Sequence, residues 1–395
     1  MTITWTRARR FLAVRTDNLG DVLMTSPALR ALKEHAPDAH VTLLTSPSGS
    51  AAAPFCDVVD DTIEYAAPWT RRPGTGSSAD AAQAADSIAR DHALVRRLAE
   101  GRFDAAVVFT VCTQSALPAA LMCRLAGIPL RLAHCRENPY DLLTDWVPDR
   151  ESPEAGMRHE VERQLALVAS VGLRPSDDRL VFRPTPADHD GARARLAAAG
   201  ARPDQRCLVV HPGASALSRR YPAERFGVAA SVIAAAAGWQ IVFTGGADEE
   251  ALVDRAMTGV TTPAFSLAGQ LSLGELGALI ADAGLVLANN TGPAHIAAAV
   301  GTPVVVLYAL TNPQHTPWRV PSRVLSHDVP CRNCLRSTCP QGHHRCLRAI
   351  TVARVVDAAL GLLEETTAFG RAEVRRRVQP PSAAAAQPPT PIHSQ

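Results

Sequence analysis

The stretch Asn289-Asn290-Thr291-Gly292-Pro293-Ala294-His295, continued by Ile296-Ala297-Ala298-Ala299, decides how this chain folds. The apolar run 284–288 in front of it reads as a buried strand and the small residues behind it as a helix, so the glycine-bearing turn lies at a strand's carboxyl end and a helix's N-terminus. Free N–H groups and the dipole at such a helix start attract anions, and open α/β sheets take their ligands at strand ends of this kind. The turn fits a phosphate-bearing, nucleotide-linked ligand. A strand, a turn and a helix also follow one another for packing reasons alone, so this turn by itself leaves both readings open.

Working outward, Arg15-Thr16-Asp17-Asn18-Leu19-Gly20-Asp21-Val22-Leu23 repeats the design near the N-terminus, behind the apolar run Phe11-Leu12-Ala13-Val14. Two turns of one kind suggest two similar domains, and 395 residues exceed what one hydrophobic core usually organises. Asp21 at a helix start is read either as a cap and dipole partner or as a reactive carboxylate. Alternating strand-like and helix-like runs continue to about residue 126. A helix over 158–172 and a Pro-rich passage over 174–186 follow, and a second alternating series begins at 207 and ends near 308. The expected division is an N-terminal domain over 1–180, a C-terminal domain over 181–370 with a last helix at about 351–365, and a disordered tail over 371–395 rich in Arg, Ala, Pro and Gln. Residues 68–82 form a long Pro, Gly and Ser loop beside Arg71 and Arg72.

Composition points to a globular chain: 47% hydrophobic, 20% charged and a formal net charge of +2, with no overall basic field to bind nucleic acid. No apolar run is long enough to span a bilayer, and Met1 to Arg10 lacks the apolar segment of a signal peptide, so the expected location is cytoplasmic with at most peripheral membrane contact.

Taken together the motifs resemble those of glycosyltransferase family 9, the heptosyltransferases. The carriers are Gly20-Asp21-Val22; His211-Pro212-Gly213-Ala214-Ser215 with Arg219-Arg220-Tyr221-Pro222; Phe243-Thr244-Gly245-Gly246 with Asp248-Glu249-Glu250; Leu267-Ala268-Gly269 with Leu273-Gly274-Glu275-Leu276; and Thr291 to His295, in an order that spans nearly the whole chain. The resemblance implies an α/β fold of GT-B type, two Rossmann-like doubly wound domains facing across a cleft, with the acceptor on the first and the nucleotide sugar on the second. It implies metal-independent, inverting transfer of heptose from ADP-heptose to a glycolipid or oligosaccharide acceptor such as lipopolysaccharide inner core, with no cofactor. Asp21 matches the family's base, which would take the acceptor proton. Ser215, Arg219, Asn290, Thr291, Gly292 and His295 fall where the donor's diphosphate would be held, and Glu249 or its neighbour Glu250 where the ribose would sit. Two departures stand out: Arg219 replaces the usual Lys, keeping charge but changing a point donor to a planar fork, and Asn290 replaces the usual Asp. Asn290 leaves open another donor sugar, a slower enzyme or a tolerated variant, and together with Arg219 a catalytically inactive nucleotide-sugar-binding relative; a sugar-nucleotide epimerase of the same two-domain shape is a separate alternative. Arg71, Arg72 and Arg131 are the candidates to meet an anionic acceptor.

Four of the nine cysteines cluster as Cys331, Cys334, Cys339 and Cys346, with His343 and His344 between them. The spacing suits a structural zinc, two disulfides, or reduced thiols in a family loop. The other five sit in apolar contexts as ordinary small core residues.

Overall fold

In the computed structural model the described residues are 3–70, 81–153, 155–311 and 313–378, and they build two all-parallel six-stranded sheets. The first contains β1 (Arg10–Arg15), β2 (His40–Thr45), β3 (Asp61–Glu64), β4 (Ala105–Val108), β5 (Leu130–Cys135) and β6 (Asp145–Pro148). The second contains β7 (Cys207–His211), β8 (Gln240–Phe243), β9 (Ala264–Ser266), β10 (Leu285–Asn289), β11 (Val304–Leu307) and β12 (Ser322–Leu325). The spatial orders, β3-β2-β1-β4-β5-β6 and β12-β11-β10-β7-β8-β9, are the same winding in both halves. Each reverses direction once, between β1 and β4 and between β7 and β10, and the crevice outside those strand ends is where such sheets bind ligands. Both predicted turns therefore lie at a reversal point.

The central strands are legible because both faces are covered by helices. Phe11 to Val14, Leu208 to Val210, Leu285 to Ala288 and Val304 to Leu307 are buried without interruption. The Leu19–Lys33 helix packs against the Glu160–Ala169 helix and against the Gly292–Val300 helix of the second half. Pro27 interrupts its hydrogen-bond ladder and removes the amide that would reach Leu23. Ser26 Oγ donates to the Leu23 carbonyl at 2.6 Å instead, and the same oxygen accepts from Val181 N at 2.8 Å. Arg30 adds two donations to the carbonyls of Asp177 and Arg179, so the passage between the halves is strapped onto this helix.

The helix over Pro186–Ala198, absent from the sequence reading, starts with a capping box of Thr185 and Asp188. The last helix spans Val352–Val378, beyond the expected end at 365 and into the stretch expected to be a disordered tail. Residues 371–378 contain no Gly or Pro, and Pro380-Pro381 is the first strong breaker; residues 379–395 lie outside the described residues. Among the described residues no helix is long and apolar enough to cross a membrane.

Close helix packing yields a stability prediction. A Cβ on Gly227, in the Ala223–Ala237 helix, would lie 2.0 Å from the carbonyl oxygen of Ala256 in the Glu250–Met257 helix. Backbone cannot yield as a side chain does, so Gly227→Ala should cost about 1–3 kcal/mol in chemical denaturation. Nucleotide affinity of the folded fraction should be unchanged.

Candidate active site

The two turns meet. A Cβ on Gly20 would come within 2.8 Å of the His295 ring, and one on Gly292 within 3.3 Å of the Leu19 side chain. Glycine at these positions is what lets the two helix starts approach.

At the carboxyl end of β1 the Arg15 side chain is wholly buried and surrounded by carboxylates. Its guanidinium lies 3.0 Å from Asp17, 3.4 Å from Asp21 and 2.8 Å from Glu160, which is itself fully buried. Burial alone would lower the pKa of Arg15, but Glu160, Asp17 and Asp21 more than reverse that, so it is held above its usual value. Asp21 uses both oxygens: Oδ1 faces Arg15, and Oδ2 accepts from Asn18 N at 3.1 Å in a capping box. Asp21 is thus the helix cap and, in the same geometry, an ion-pair partner of Arg15. Its burial favours the neutral form, yet Arg15, His315, the Asn18 amide and His295 outweigh it and hold the carboxyl below its ordinary range. Asp17 goes the other way: burial dominates, Arg15 opposes, Asp21 adds repulsion, and its pKa is raised to about 6. Gln114 donates to Asp17 at 2.5 Å. It opens a cavity of about 210 Å³ at the ends of β4 and β5, lined also by Arg136, Glu137 and His134.

From the second half, the segment after β11 closes on this cluster. His315 Nε2 lies 3.9 Å from Glu160, whose amide donates to the Gln314 carbonyl at 3.0 Å, and His159 bonds the Thr316 carbonyl at 2.9 Å. Burial first, with Arg15 and Arg219 adding to it, lowers the pKa of His315 despite Asp21 and Glu160. His295 is lowered to about 3, by burial and then by His315. Its Nδ1 is buried without a hydrogen-bond partner, as is Nε of Arg219, and the two residues sense each other electrostatically. Arg219 thus points toward the place where the turns meet, whereas Arg220 folds back, donating to the Ala214 carbonyl at 2.7 Å and standing 3.7 Å from Glu249.

The donor-side turns are held by a residue that sequence reasoning missed. Asn289 donates from Nδ2 to the carbonyls of Pro212 and Gly213 and accepts at Oδ1 from Tyr221 N, so one buried amide ties the turns after β10 and β7 to the start of the Ala223–Ala237 helix. Asn290 is buried beside it and hydrogen-bonds the Tyr308 hydroxyl, which also accepts from His315 N at 3.3 Å. Glu249 packs on Gly213, where a Cβ would lie 2.2 Å from its oxygens, and it faces His211 and Arg220 at 3.7 Å. Ser215 is exposed, Thr291 and Gly292 are half-buried at the helix start, and Glu250 is exposed.

One candidate is corrected. Arg131 stands at the amino end of β5, away from the reversal point, and is buried. Its guanidinium donates to the backbone carbonyls of Leu142, Ile128, Pro129 and Asp141, so its donors are spent on stapling a loop. Arg71 and Arg72 lie outside the described residues. The four clustered thiols line one small cavity of about 20 Å³ beside Ser218, and Cys331 Sγ is 3.8 Å from His343 Nε2. Arg15, Glu160 and His315 were also missed, because each acquires its role only through contacts distant in sequence.

Two Rossmann-like halves with facing ligand turns, a carboxylate held ionised on one side and an unpartnered arginine on the other, define a glycosyltransferase of GT-B type. The chain belongs to glycosyltransferase family 9 (heptosyltransferase), whose model matches residues 91–344. It is 27% identical over 308 residues to lipopolysaccharide heptosyltransferase 3 of Escherichia coli, covering 76% of this chain and 83% of that one. Among solved structures it is similar to the family 9 glycosyl transferase of Veillonella parvula, with TM-score 0.73 and 21% identity, covering 92% of this chain and 99% of that one. It is also similar to the E. coli ADP-heptose lps heptosyltransferase II, with TM-score 0.66 and 22% identity, covering 91% and 99%.

Two outcomes follow from this geometry. Arg131→Met should lower the denaturation midpoint, by about 2 kcal/mol or more for the carbonyls left unpaired, while steady-state kinetics with acceptor stay unchanged. His295 has a folded pKa below its unfolded value, so the stability it contributes is present above about pH 6.5 and is lost as pH falls toward 3, by at most about 1.4 kcal/mol per pH unit. Denaturant titrations between pH 7 and 5 should show a shallower acid loss in His295→Gln than in the wild type.

Proposed function

We propose that this chain transfers a heptose from ADP-heptose to a lipopolysaccharide-type glycolipid acceptor, with inversion and without a catalytic metal. The observation that carries the reading is the Asp21 carboxylate, kept charged by buried Arg15 at the point where the two ligand turns meet. The named activities of the relatives support the sugar and the donor.

Inverting transfer is one displacement. The acceptor oxygen forms a bond to the anomeric carbon as the bond from that carbon to the β-phosphate oxygen breaks, and the electron pair leaves with ADP. The hydroxyl proton goes to Asp21. Because Asp21 is a weak base, its proton transfer runs late, concerted with attack, when the oxygen has become acidic. Charge growing on the diphosphate is met by Arg219 and by the N–H groups at Gly292 and its neighbours, assisted by Thr291 and Ser215. His295, neutral at physiological pH, offers its ring from the same helix start. We assign Glu249 to the ribose hydroxyls and Asn290 to a polar wall of the donor site. The cavity beside Gln114 and Arg136 takes the acceptor, which brings the enzyme to the inner face of the membrane that carries the glycolipid.

The test is a donor panel at equal concentration, ADP-heptose against ADP-glucose, UDP- and GDP-sugars, with no divalent cation added. Wild type should bind and turn over ADP-heptose preferentially. Asp21→Asn should retain donor affinity within a few fold while kcat falls by about 10²–10⁴. Preference for another nucleotide sugar would transfer the reaction to that donor, and equal turnover by Asp21→Asn would remove Asp21 from the mechanism.

A further inference from the structure

The segment between β12 and the last helix carries a site that the transfer reaction does not use. Cys331, Cys334, Cys339 and Cys346 come from four places along it and line a single cavity of about 20 Å³, enough for one small ion or one water. All four are reduced and half-buried. Basic residues adjoin two of them in sequence, in Cys331-Arg332 and Arg345-Cys346, and Arg336 stands two positions after Cys334. Four neutral thiols gain little from such neighbours, whereas four thiolates around a dication carry a net charge of −2 that those cations offset. His343 fits the same arrangement. Its Nδ1 accepts from Arg345 N at 3.0 Å, which leaves the ring proton on Nε2, and that nitrogen faces Cys331 Sγ at 3.8 Å. It is placed to donate to a sulfur rather than to join the ligands, the usual position of a group that supports a thiolate.

We propose that Cys331, Cys334, Cys339 and Cys346 bind one structural zinc(II) or iron(II) ion as a tetrahedral tetrathiolate, and that this ion sets the turn carrying Arg219. Soft sulfur ligands in a tetrahedral set select these metals, and loading releases one proton per thiol. Among the described residues no three side chains yet converge tightly enough to hold an ion, so loading draws the sulfurs inward by side-chain rotation. The link to Arg219 is direct. Ser218 N and Oγ donate to the carbonyls of Ser337 and Arg336 at 3.0 and 2.7 Å, while Asn333 N and Leu335 N donate to Leu310 and Thr311 at 2.7 and 3.0 Å. The cysteine segment thus braces both the 217–219 turn and the strand end that leads to His315.

The test is elemental analysis of the untagged full-length protein purified without chelator from medium supplemented with zinc and iron, followed by cobalt(II) reconstitution. The expected result is about one metal ion per chain and, with cobalt, the intense thiolate charge-transfer and tetrahedral bands of a sulfur site. Elemental analysis decides which of the two metals is resident. Cys334→Ser and Cys339→Ser should each lose at least about tenfold in metal affinity, and stripping the wild type should weaken ADP binding by a similar factor through Arg219. If Cys346→Ser fails to fold, the two more accessible variants still decide. Less than about a tenth of an equivalent with no cobalt spectrum overturns the proposal, as does recovery of these four residues as disulfides or their reaction with a thiol reagent at the rate of free cysteine. Metal content is read without any sugar donor, so failure here leaves the transfer reaction untouched, and failure of that reaction leaves the metal site standing.

Discussion

The structure depends on the charge balance around Arg15. A guanidinium cannot discharge on burial, so its place at the carboxyl end of β1 requires partners, and it has three: Asp17, Asp21 and Glu160. If all three are ionised the group carries a net charge of −2 in a space that water barely reaches. Such a cluster gains from accepting a proton, and burial distributes that tendency unequally. Asp17 takes up a proton near pH 6, while Asp21, closer to the histidines and the Asn18 amide, stays charged. Near neutral pH a carboxylate is therefore present where the two helix starts meet. Removing Glu160 would undo this from a distance, by leaving Arg15 and the loop around Gln314 without their shared anchor.

The same constraint explains why the two halves touch where they do. Each sheet reverses its strand order once, and each reversal point opens a helix with a glycine near its start. Gly20 lies against the His295 ring and Gly292 against Leu19, so the carboxylate of one half and the anion-binding helix start of the other are held within reach. A side chain at either glycine would push the two halves apart at the point where their helix starts meet.

How much of this could be read beforehand follows from what kind of pattern each part leaves. Most inner strands are continuous apolar runs covered on both faces, and the turns after β1 and β10 carry a glycine near the helix start, so these are visible without a structure, whereas the inner strand β5, interrupted by Arg131 and His134, is not. The edge strands β3 and β12 are not: Asp61-Thr-Ile-Glu and Ser322-Arg-Val-Leu are short, half-exposed and polar, and only their neighbour's ladder makes them strands. Asp21 and Arg219 were legible because they sit on those turns. Glu160 and His315 were not, since a single polar residue becomes a partner of Arg15 only once remote segments are brought together. Arg131 misled for the converse reason, because nothing in a sequence tells an arginine that meets a ligand from one that meets four carbonyls.

Asn290 gains a physical reason from this network. Its side chain bonds the Tyr308 hydroxyl, that hydroxyl accepts from the His315 amide, the His315 ring faces Glu160, and Glu160 pairs with Arg15, which holds Asp21. A continuous line of polar contacts thus joins the turn after β10 to Asp21. An aspartate at position 290, the residue the family resemblance leads one to expect, would add a fourth buried carboxylate to a chain that already has three against one guanidinium, next to a diphosphate that brings negative charge of its own. Asparagine keeps the hydrogen bond to Tyr308 and adds no charge. Arg219 in place of lysine offers a planar fork where lysine would offer a point charge. Of the two departures only Asn290 changes the charge, by removing one negative charge, while Arg219 keeps the charge and changes its geometry; a double-mutant cycle separates the two effects.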